Sequence, residues 1–200
     1  MKKIFPFLVV TILAGLAFTI GDPLPIGSMM PKTDVKLKDI SGKEITMKDA
    51  VKQHGVLVMF SCNTCPFVIK NQQRTIEAGK YAQKMDLGFI VLNSNEAQRG
   101  DDDSYDAMKN YAKAQNYHWN YVVDRNNEVA DAFGAKRTPE CFLFSKDLKL
   151  VYHGAIDDNP ADASNVKRHY LEEAINELVA GKEITVKESR SVGCSIKRKG

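Results

Sequence analysis

Short apolar runs and longer amphipathic segments alternate through the middle of the chain. The runs at 56–60 and 89–92 are continuously apolar, which is typical of strands that are covered on both faces of a sheet. Segments of helix-forming composition follow them, at 65–85 and 104–115. This alternation predicts an α/β domain with a central mixed β-sheet flanked by helices.

Two pairs of short runs are separated by turn residues, and each pair predicts a β-hairpin. Ser41-Gly42 and Lys146-Asp147 provide the turns. The first hairpin is N-terminal, and the second precedes a final amphipathic helix. Gly134 is the predicted C-terminal cap of a short helix between them. The predicted elements of these regions cover 35–40, 43–47, 121–123, 126–133, 141–144, 150–153 and 166–180.

Residues 1–20 have the three-part pattern of a secretory signal peptide. Lys2 and Lys3 precede an apolar stretch at 4–18, and small residues follow near the expected cleavage site at 17–21. The stretch is shorter than the roughly 20 residues that span a bilayer, and an uncleaved N-terminal anchor is the alternative. The pattern predicts export to the periplasm or cell envelope, with membrane attachment only if the leader is uncleaved.

Composition and charge are those of an ordinary globular domain. Hydrophobic residues make up 44% and charged residues 26% of the 200-residue chain. Without Lys2 and Lys3 the formal net charge falls from +3 to +1, so the chain has no electrostatic footprint for nucleic acid. We expect one domain over 21–180 and a polar C-terminal tail over 181–200.

The clearest candidate chemistry is the Cys-x-x-Cys pair formed by Cys62 and Cys65, which lies between the strand at 56–60 and the helix predicted after it. Backbone N–H groups and the helix dipole at such a junction stabilise a thiolate, with a pKa of roughly 3.5 to 7.5 instead of about 8.5. Cys62 is therefore the expected nucleophile. Cys65, three residues along, is the expected resolving thiol.

Metal binding and haem attachment are rival interpretations of this pair. A structural zinc site needs two further ligands at suitable spacing, and the histidines of the chain form no pair. A c-type haem site requires histidine directly after Cys65, where Pro66 stands instead. We therefore predict no metal and no cofactor, while a passive structural disulfide stays open. The histidines are His54, His118, His153 and His169.

The segment 133–139, Phe-Gly-Ala-Lys-Arg-Thr-Pro, followed by Phe142-Leu143-Phe144, resembles part of the thioredoxin superfamily. In that family a cis-proline lies against the dithiol and presents the backbone of the preceding residue to a bound polypeptide. The resemblance implies that Pro139 is the cis-proline and that Thr138 and Pro139 form a substrate-binding platform opposite Cys62. A simple turn before a strand is the alternative.

The resemblance extends over about 27–180 and implies a thioredoxin-like fold. The N-terminal hairpin and an inserted strand and helix at 87–115 are similar to the redoxin branch, which includes the alkyl hydroperoxide reductase and thiol-specific antioxidant proteins. Segments 150–159 and 191–197 are similar to bacterial peroxiredoxin-like proteins of that branch.

Positions that define the activities of this superfamily differ here. Typical peroxiredoxins place Pro and then Thr or Ser ahead of the peroxidatic cysteine, where this chain has Gly55 and Met59. The aromatic residue that precedes the first cysteine of thioredoxin is Ser61, and the buried acid of thioredoxin falls at Val56. The departures at Gly55 and Met59 disfavour efficient peroxide reduction.

We therefore predict an exported thiol-disulfide oxidoreductase in which Cys62 attacks and Cys65 resolves. Its partners would be protein disulfides or dithiols and an unknown redox partner. The alternatives are a thiol peroxidase with antioxidant activity and a non-enzymatic carrier of copper or another metal.

Four positions outside the Cys-x-x-Cys pair carry further expectations. Cys141 lies in an apolar strand and is expected to be a small buried thiol. Cys194 lies in a polar tail that is poorly suited to burial, which makes it a possible additional redox thiol that exchanges with Cys62 or pairs with Cys141; a free, inert or docked thiol is the alternative. His153 is expected on a strand surface, and the acidic run 101–103 is expected to be a solvated helix cap.

Overall fold

The computed structural model describes residues 21–199. The leader expected at 1–20 lies outside the described residues and stays a prediction. Within 21–199, none of the helices combines the length and apolar character needed to cross a membrane.

Seven of the strands formed by the described residues make one mixed sheet, in the order β2-β1-β5-β4-β3-β7-β8. The neighbours β3, β4 and β5 run parallel, and the other neighbouring pairs are antiparallel. Both predicted hairpins, β1-β2 and β7-β8, are confirmed. The strands are β1 (Leu37–Asp39), β2 (Glu44–Ile45), β3 (Gly55–Ser61), β4 (Gly88–Asn93), β5 (Asn120–Val123), β6 (Arg137–Thr138), β7 (Glu140–Ser145), β8 (Leu150–Gly154) and β9 (Cys194–Ser195).

Helices cover both faces of the sheet, as the alternating pattern predicts. The second, third and fifth helices pack with Leu57 and Met59 on one face, and the fourth packs with Val58 and Phe60 on the other. The α-helices of the described residues are α1 (Pro66–Lys70), α2 (Gln72–Lys84), α3 (Tyr105–Ala114), α4 (Glu128–Phe133) and α5 (Tyr170–Val179).

Two of the predicted helices differ from those observed. The helix predicted at 65–85 is divided at Asn71, whose backbone angles of φ −94° and ψ 5° depart from the helical region. The amide side chain of Asn71 donates to the carbonyl oxygen of Phe67, 2.7 Å away. The last helix begins at Tyr170 instead of residue 166, because the backbone of Val166 has an extended conformation.

The register of the central strands brings the two candidate segments together. β3 is buried along its whole length and ends at Ser61, so the Cys-x-x-Cys loop leaves the sheet at the carboxyl end of that strand. Phe60 pairs with Glu140 on the antiparallel neighbour β7. The Thr138–Pro139 segment, which precedes β7, therefore lies beside the loop that follows β3.

Gly134 ends α4 in the left-handed conformation, as predicted, with φ +62°. A Cβ atom at this position would lie 1.8 Å from the carbonyl oxygen of Asp22. Gly181, after α5, has a similar φ of +66°, but a Cβ atom there would meet nothing within 4 Å. The chain lead-in at Asp22 can approach α4 closely only because residue 134 has no side chain.

We expect Gly134→Ala to destabilise the protein more than Gly181→Ala. Alanine at a left-handed position costs about 1 kcal/mol, and the additional collision with Asp22 should raise the loss at residue 134 to about 3 kcal/mol. Urea denaturation of the two variants measures both losses. Equal losses would show that the close approach to Asp22 contributes nothing.

Candidate functional site

The Cys-x-x-Cys loop begins one turn before the first helix. Cys65 is the N-cap residue of α1 and Pro66 occupies the first turn. Asn63 and Thr64 therefore precede the cap residue instead of forming the cap. Cys62 lies three residues ahead of the cap of a helix that is only five residues long, so the helix dipole acts on it less than the sequence suggests.

The Thr138–Pro139 peptide bond is cis, as the resemblance implies. Thr138 contacts both sulfurs of the Cys-x-x-Cys pair. Its hydroxyl oxygen lies 3.4 Å from Sγ of Cys62, and its carbonyl oxygen lies 3.5 Å from Sγ of Cys65. The structure therefore brings all four predicted site residues together, while their roles in catalysis and substrate binding stay predictions.

Cys62 is a free thiol with only 1% of its surface exposed. Burial raises its pKa, and the charge of Asp103 adds to the rise. The Thr138 hydroxyl and the backbone N–H groups of Thr64 and Cys65 act in the opposite direction but do not compensate. The expectation of a lowered pKa is thus wrong for this state of the protein, because desolvation outweighs the hydrogen bonds around the sulfur.

A buried carboxylate holds the Cys-x-x-Cys loop from below. Asp103 is fully buried and accepts a hydrogen bond of 2.9 Å from the backbone N–H of Asn63. The same carboxylate accepts from the side-chain amides of Asn93 and Asn95, at 2.6 and 2.8 Å. Three donors satisfy a charge that would otherwise be costly to bury.

The acidic run at 101–103 is therefore not a solvated cap as a whole. Asp101 and Asp102 are exposed, but Asp103 belongs to the site. The cap of α3 is instead Ser104, whose hydroxyl accepts from the backbone N–H of Ala107 at 3.3 Å. Asn63 is held further by its side chain, which accepts from the hydroxyl of Tyr121 at 2.8 Å.

A second buried carboxylate, that of Glu140, supports the cis-proline loop. It accepts from the backbone N–H groups of Lys136 and Arg137 at 2.8 and 3.0 Å, and from Nε2 of His153 at 2.8 Å. Burial alone raises the pKa of Glu140, but the hydrogen bonds from His153, Arg137 and Lys136 lower it by more. Glu140 therefore stays ionised and fixes the backbone just ahead of Thr138.

His153 is not the surface residue that the sequence indicates. It is buried, pairs with Glu140 and stacks on Phe142 with ring centroids 4.4 Å apart. Its strand, β8, is covered by the C-terminal segment, since the backbone N–H of Ser189 donates to the carbonyl oxygen of His153 at 3.0 Å. Because the C-terminal segment is polar, its sequence does not indicate that it docks on β8.

Cys194 forms a disulfide with Cys65. Cys194 is therefore not a free thiol, and its exchange with Cys62 stays a prediction. Pairing with Cys141 is wrong because that thiol is fully buried in the core, as expected for it, whereas β9 runs along β6 beside Cys65. Cys194 packs against the small cluster of Cys62, Cys65 and Val68, so three sulfurs meet at one place.

Within 21–199, no group of three or more histidine, cysteine, aspartate or glutamate side chains is arranged to hold a metal ion. The chemistry displayed by the described residues is that of a buried thiol beside a disulfide.

Comparisons with known proteins agree with this fold. A family model described as the AhpC/TSA family matches residues 26–153. The thiol-disulfide oxidoreductase ResA of Bacillus thuringiensis subsp. konkukian is 26% identical over 162 residues, which cover 76% of this chain and 88% of that protein.

Solved structures extend the comparison. An uncharacterized conserved protein from Geobacillus kaustophilus is 32% identical with a TM-score of 0.81, covering 88% of this chain and 93% of that chain. A mutant of PrxQ from Xylella fastidiosa is 15% identical with a TM-score of 0.58, covering 80% and 99%, and shows the fold alone. The predicted thioredoxin-like α/β fold is confirmed.

We expect Thr138→Val to raise the pKa of Cys62 further, because valine keeps the shape of threonine but removes the hydroxyl that favours the thiolate. Thr138→Ser keeps the hydroxyl and is the matched control. The ultraviolet absorbance of the thiolate, followed against pH and corrected with Cys62→Ser, measures the change. An unchanged titration in Thr138→Val would mean that this contact does not stabilise the thiolate.

Proposed function

Because the chain belongs to the AhpC/TSA redoxin family, with distant homology to the thiol-disulfide oxidoreductase ResA, we propose that it exchanges disulfides with protein thiols. One observation carries the proposal: the free thiol of Cys62 packs in the same cluster as the Cys65–Cys194 disulfide. A thiol beside a disulfide is the reactant arrangement of thiol-disulfide exchange.

Cys62 is the nucleophile in the proposed reaction. Its thiolate attacks one sulfur of a substrate disulfide, the substrate bond breaks, and the other substrate sulfur leaves as a thiolate that takes up a proton. Burial raises the pKa of Cys62, so the thiol form predominates at neutral pH in the state described. The Thr138 hydroxyl, 3.4 Å away, is placed to donate to the thiolate when it forms.

Cys65 completes the exchange once it is in the thiol form. Its thiolate attacks Cys62 in the mixed disulfide, so that the substrate leaves reduced and a Cys62–Cys65 disulfide remains. The carbonyl oxygen of Thr138, 3.5 Å from Sγ of Cys65, is an acceptor for the thiol proton. A dithiol protein of unknown identity would return the pair to its reduced state.

Peroxide reduction is the less favoured activity. The peroxiredoxin positions that would hold a peroxide correspond to Gly55 and Met59, and both lie buried in β3. The side chain of Met59 has no hydroxyl to hold a peroxide near Cys62, and it packs in the core with Leu57. Exchange with disulfides needs neither group.

We place this activity outside the cytoplasm, supported by the leader pattern at 1–20 and by a disulfide of a kind that persists in oxidising compartments. N-terminal sequencing of the protein from its native envelope fraction should find a new N-terminus between residues 17 and 21. Recovery of the uncleaved chain from the cytoplasm would contradict export.

The activity itself is tested by challenging the reduced protein separately with a disulfide-containing protein and with hydrogen peroxide. We expect the disulfide protein to oxidise the Cys62–Cys65 pair at least ~100-fold faster than peroxide does, because the peroxide-binding groups are missing. Stopped-flow tryptophan fluorescence, calibrated by mass spectrometry of the trapped thiols, follows both reactions.

Cys62→Ser should lower disulfide exchange at least ~100-fold, because it removes the nucleophile. Cys141→Ser changes a thiol of the core and is the matched control, which should react like the parent protein. Faster oxidation by peroxide than by the disulfide protein would favour the peroxidase instead.

A further inference from the structure

The last residues of the described chain occupy the edge of the candidate site. β9 pairs antiparallel with β6, so that Cys194 lies opposite Thr138 and Ser195 lies opposite Arg137. Thr138 is also the residue that touches both sulfurs of the Cys-x-x-Cys pair. A polypeptide that pairs with Thr138 along this edge must therefore run where β9 runs.

Close contacts fit the tail to this edge. A Cβ atom at Gly193 would lie 2.2 Å from the carbonyl oxygen of Thr138, so the chain can pass here only with glycine at that position. The guanidinium of Arg137 donates to the carbonyl oxygen of Gly193 at 3.0 Å. Cys194, the next residue, then reaches Cys65.

The residues beyond Cys194 anchor the tail on the second face of the sheet. Ile196 is buried in the core cluster that contains Phe60 and Phe133, and its backbone N–H donates to the carbonyl oxygen of Lys136 at 3.0 Å. Arg198 pairs with Asp131 at 2.8 Å. Three residues of the sequence Gly-Cys-Ser-Ile therefore make specific contacts. Gly193 approaches the carbonyl oxygen of Thr138, Cys194 bonds to Cys65, and Ile196 packs in the core.

We infer that residues 193–198 are a tethered pseudosubstrate: they occupy the polypeptide-binding edge of the site and leave it when the Cys65–Cys194 bond is exchanged. This inference rests on the proposed function, and it deepens it by naming the substrate class. The site takes an extended segment in which glycine precedes a cysteine and an apolar residue follows two positions later.

The release step needs no external oxidant or reductant. The Cys62 thiol loses its proton, and the thiolate attacks Sγ of Cys65. The Cys65–Cys194 bond breaks as the Cys62–Cys65 bond forms, and Cys194 leaves as a thiolate that takes up a proton. One disulfide and one thiol are present before and after, so the tail is released by exchange alone.

A fixed point upstream limits how much of the tail is released. Ser189 is held on β8, where its hydroxyl contacts the hydroxyl of Tyr152 at 2.7 Å and accepts from the backbone N–H of Ala155 at 2.9 Å. We therefore expect the segment after Ser189 to move while Ser189 itself stays in place.

Amide hydrogen exchange of the full chain tests the release directly. The amides of Ile196 and Lys197, which donate to Lys136 and to the side chain of Asn95, should exchange about 10-fold faster in the reduced protein than in the oxidised one. The amide of Ser189 is the internal control and should not change. Equal protection of Ile196 in both states would overturn the inference.

A matched pair of variants tests the fit at the edge. Gly193→Val should prevent the tail from pairing with β6, so that oxidised protein contains a Cys62–Cys65 disulfide and a free Cys194, as read by mass spectrometry of trapped thiols. Ser195→Val adds the same side chain at an exposed position of the same strand and should keep the Cys65–Cys194 bond. Retention of that bond in Gly193→Val would also overturn the inference.

Cys194→Ser separates this inference from the proposed function. Cys194→Ser has no disulfide to hold the tail in place. After a limited pulse of reductant, we expect this variant to begin reducing a disulfide protein about 10-fold faster than the oxidised parent protein does. If the variant shows the fast tail exchange but reduces no protein disulfide, the proposed function fails and the tail still behaves as inferred. If it reduces the disulfide protein while its tail stays protected, the pseudosubstrate fails and the proposed function stands.

Discussion

The contact of Thr138 with both sulfurs is the constraint on which the site depends. Its hydroxyl faces Cys62 and its carbonyl oxygen faces Cys65, so a small shift of one backbone segment would change the surroundings of both. Glu140 prevents such a shift by binding two backbone N–H groups ahead of Thr138 and by pairing with His153 on the next strand. The position of two sulfurs is thus set by a carboxylate that touches neither of them.

A second carboxylate serves the opposite side of the same site. Asp103 accepts from the backbone of Asn63, inside the Cys-x-x-Cys loop, and from two asparagine side chains at the end of β4. It holds the loop in place, but its negative charge also raises the pKa of Cys62. Asp103 therefore fixes the position of the Cys-x-x-Cys loop and also favours the thiol form of Cys62. Both effects suit a state in which Cys62 is not reacting.

Much of the fold could be predicted from the sequence, because its signals are local. Apolar runs identified β3 and β4, turn residues identified both hairpins, and Gly134 identified the end of α4. The candidate site was predictable to the extent that Cys62, Cys65 and the Thr138–Pro139 segment are recognisable as motifs. The sequence spacing suggested a lowered pKa for Cys62, whereas the pKa depends on burial, which only the packed chain determines.

The residues that were missed are those whose role depends on distant partners. Asp103 looks like one of three exposed acids, Glu140 and His153 lie thirteen positions apart, and the tail looks too polar to dock. Each acquires its role through pairing across strands, as when Ile196 enters the core or Cys194 meets Cys65. Gly193 was the one available signal, since glycine directly before a cysteine suggests a close backbone approach.

The distance along the chain between Cys65 and Cys194 has a consequence for biosynthesis. The two cysteines are separated by 129 residues, whereas Cys62 is three positions from Cys65. Loop-closure entropy therefore favours the neighbouring pair in a chain that has not yet folded. The long-range bond therefore depends on the folded chain, in which the pairing of β9 with β6 brings Cys194 to Cys65.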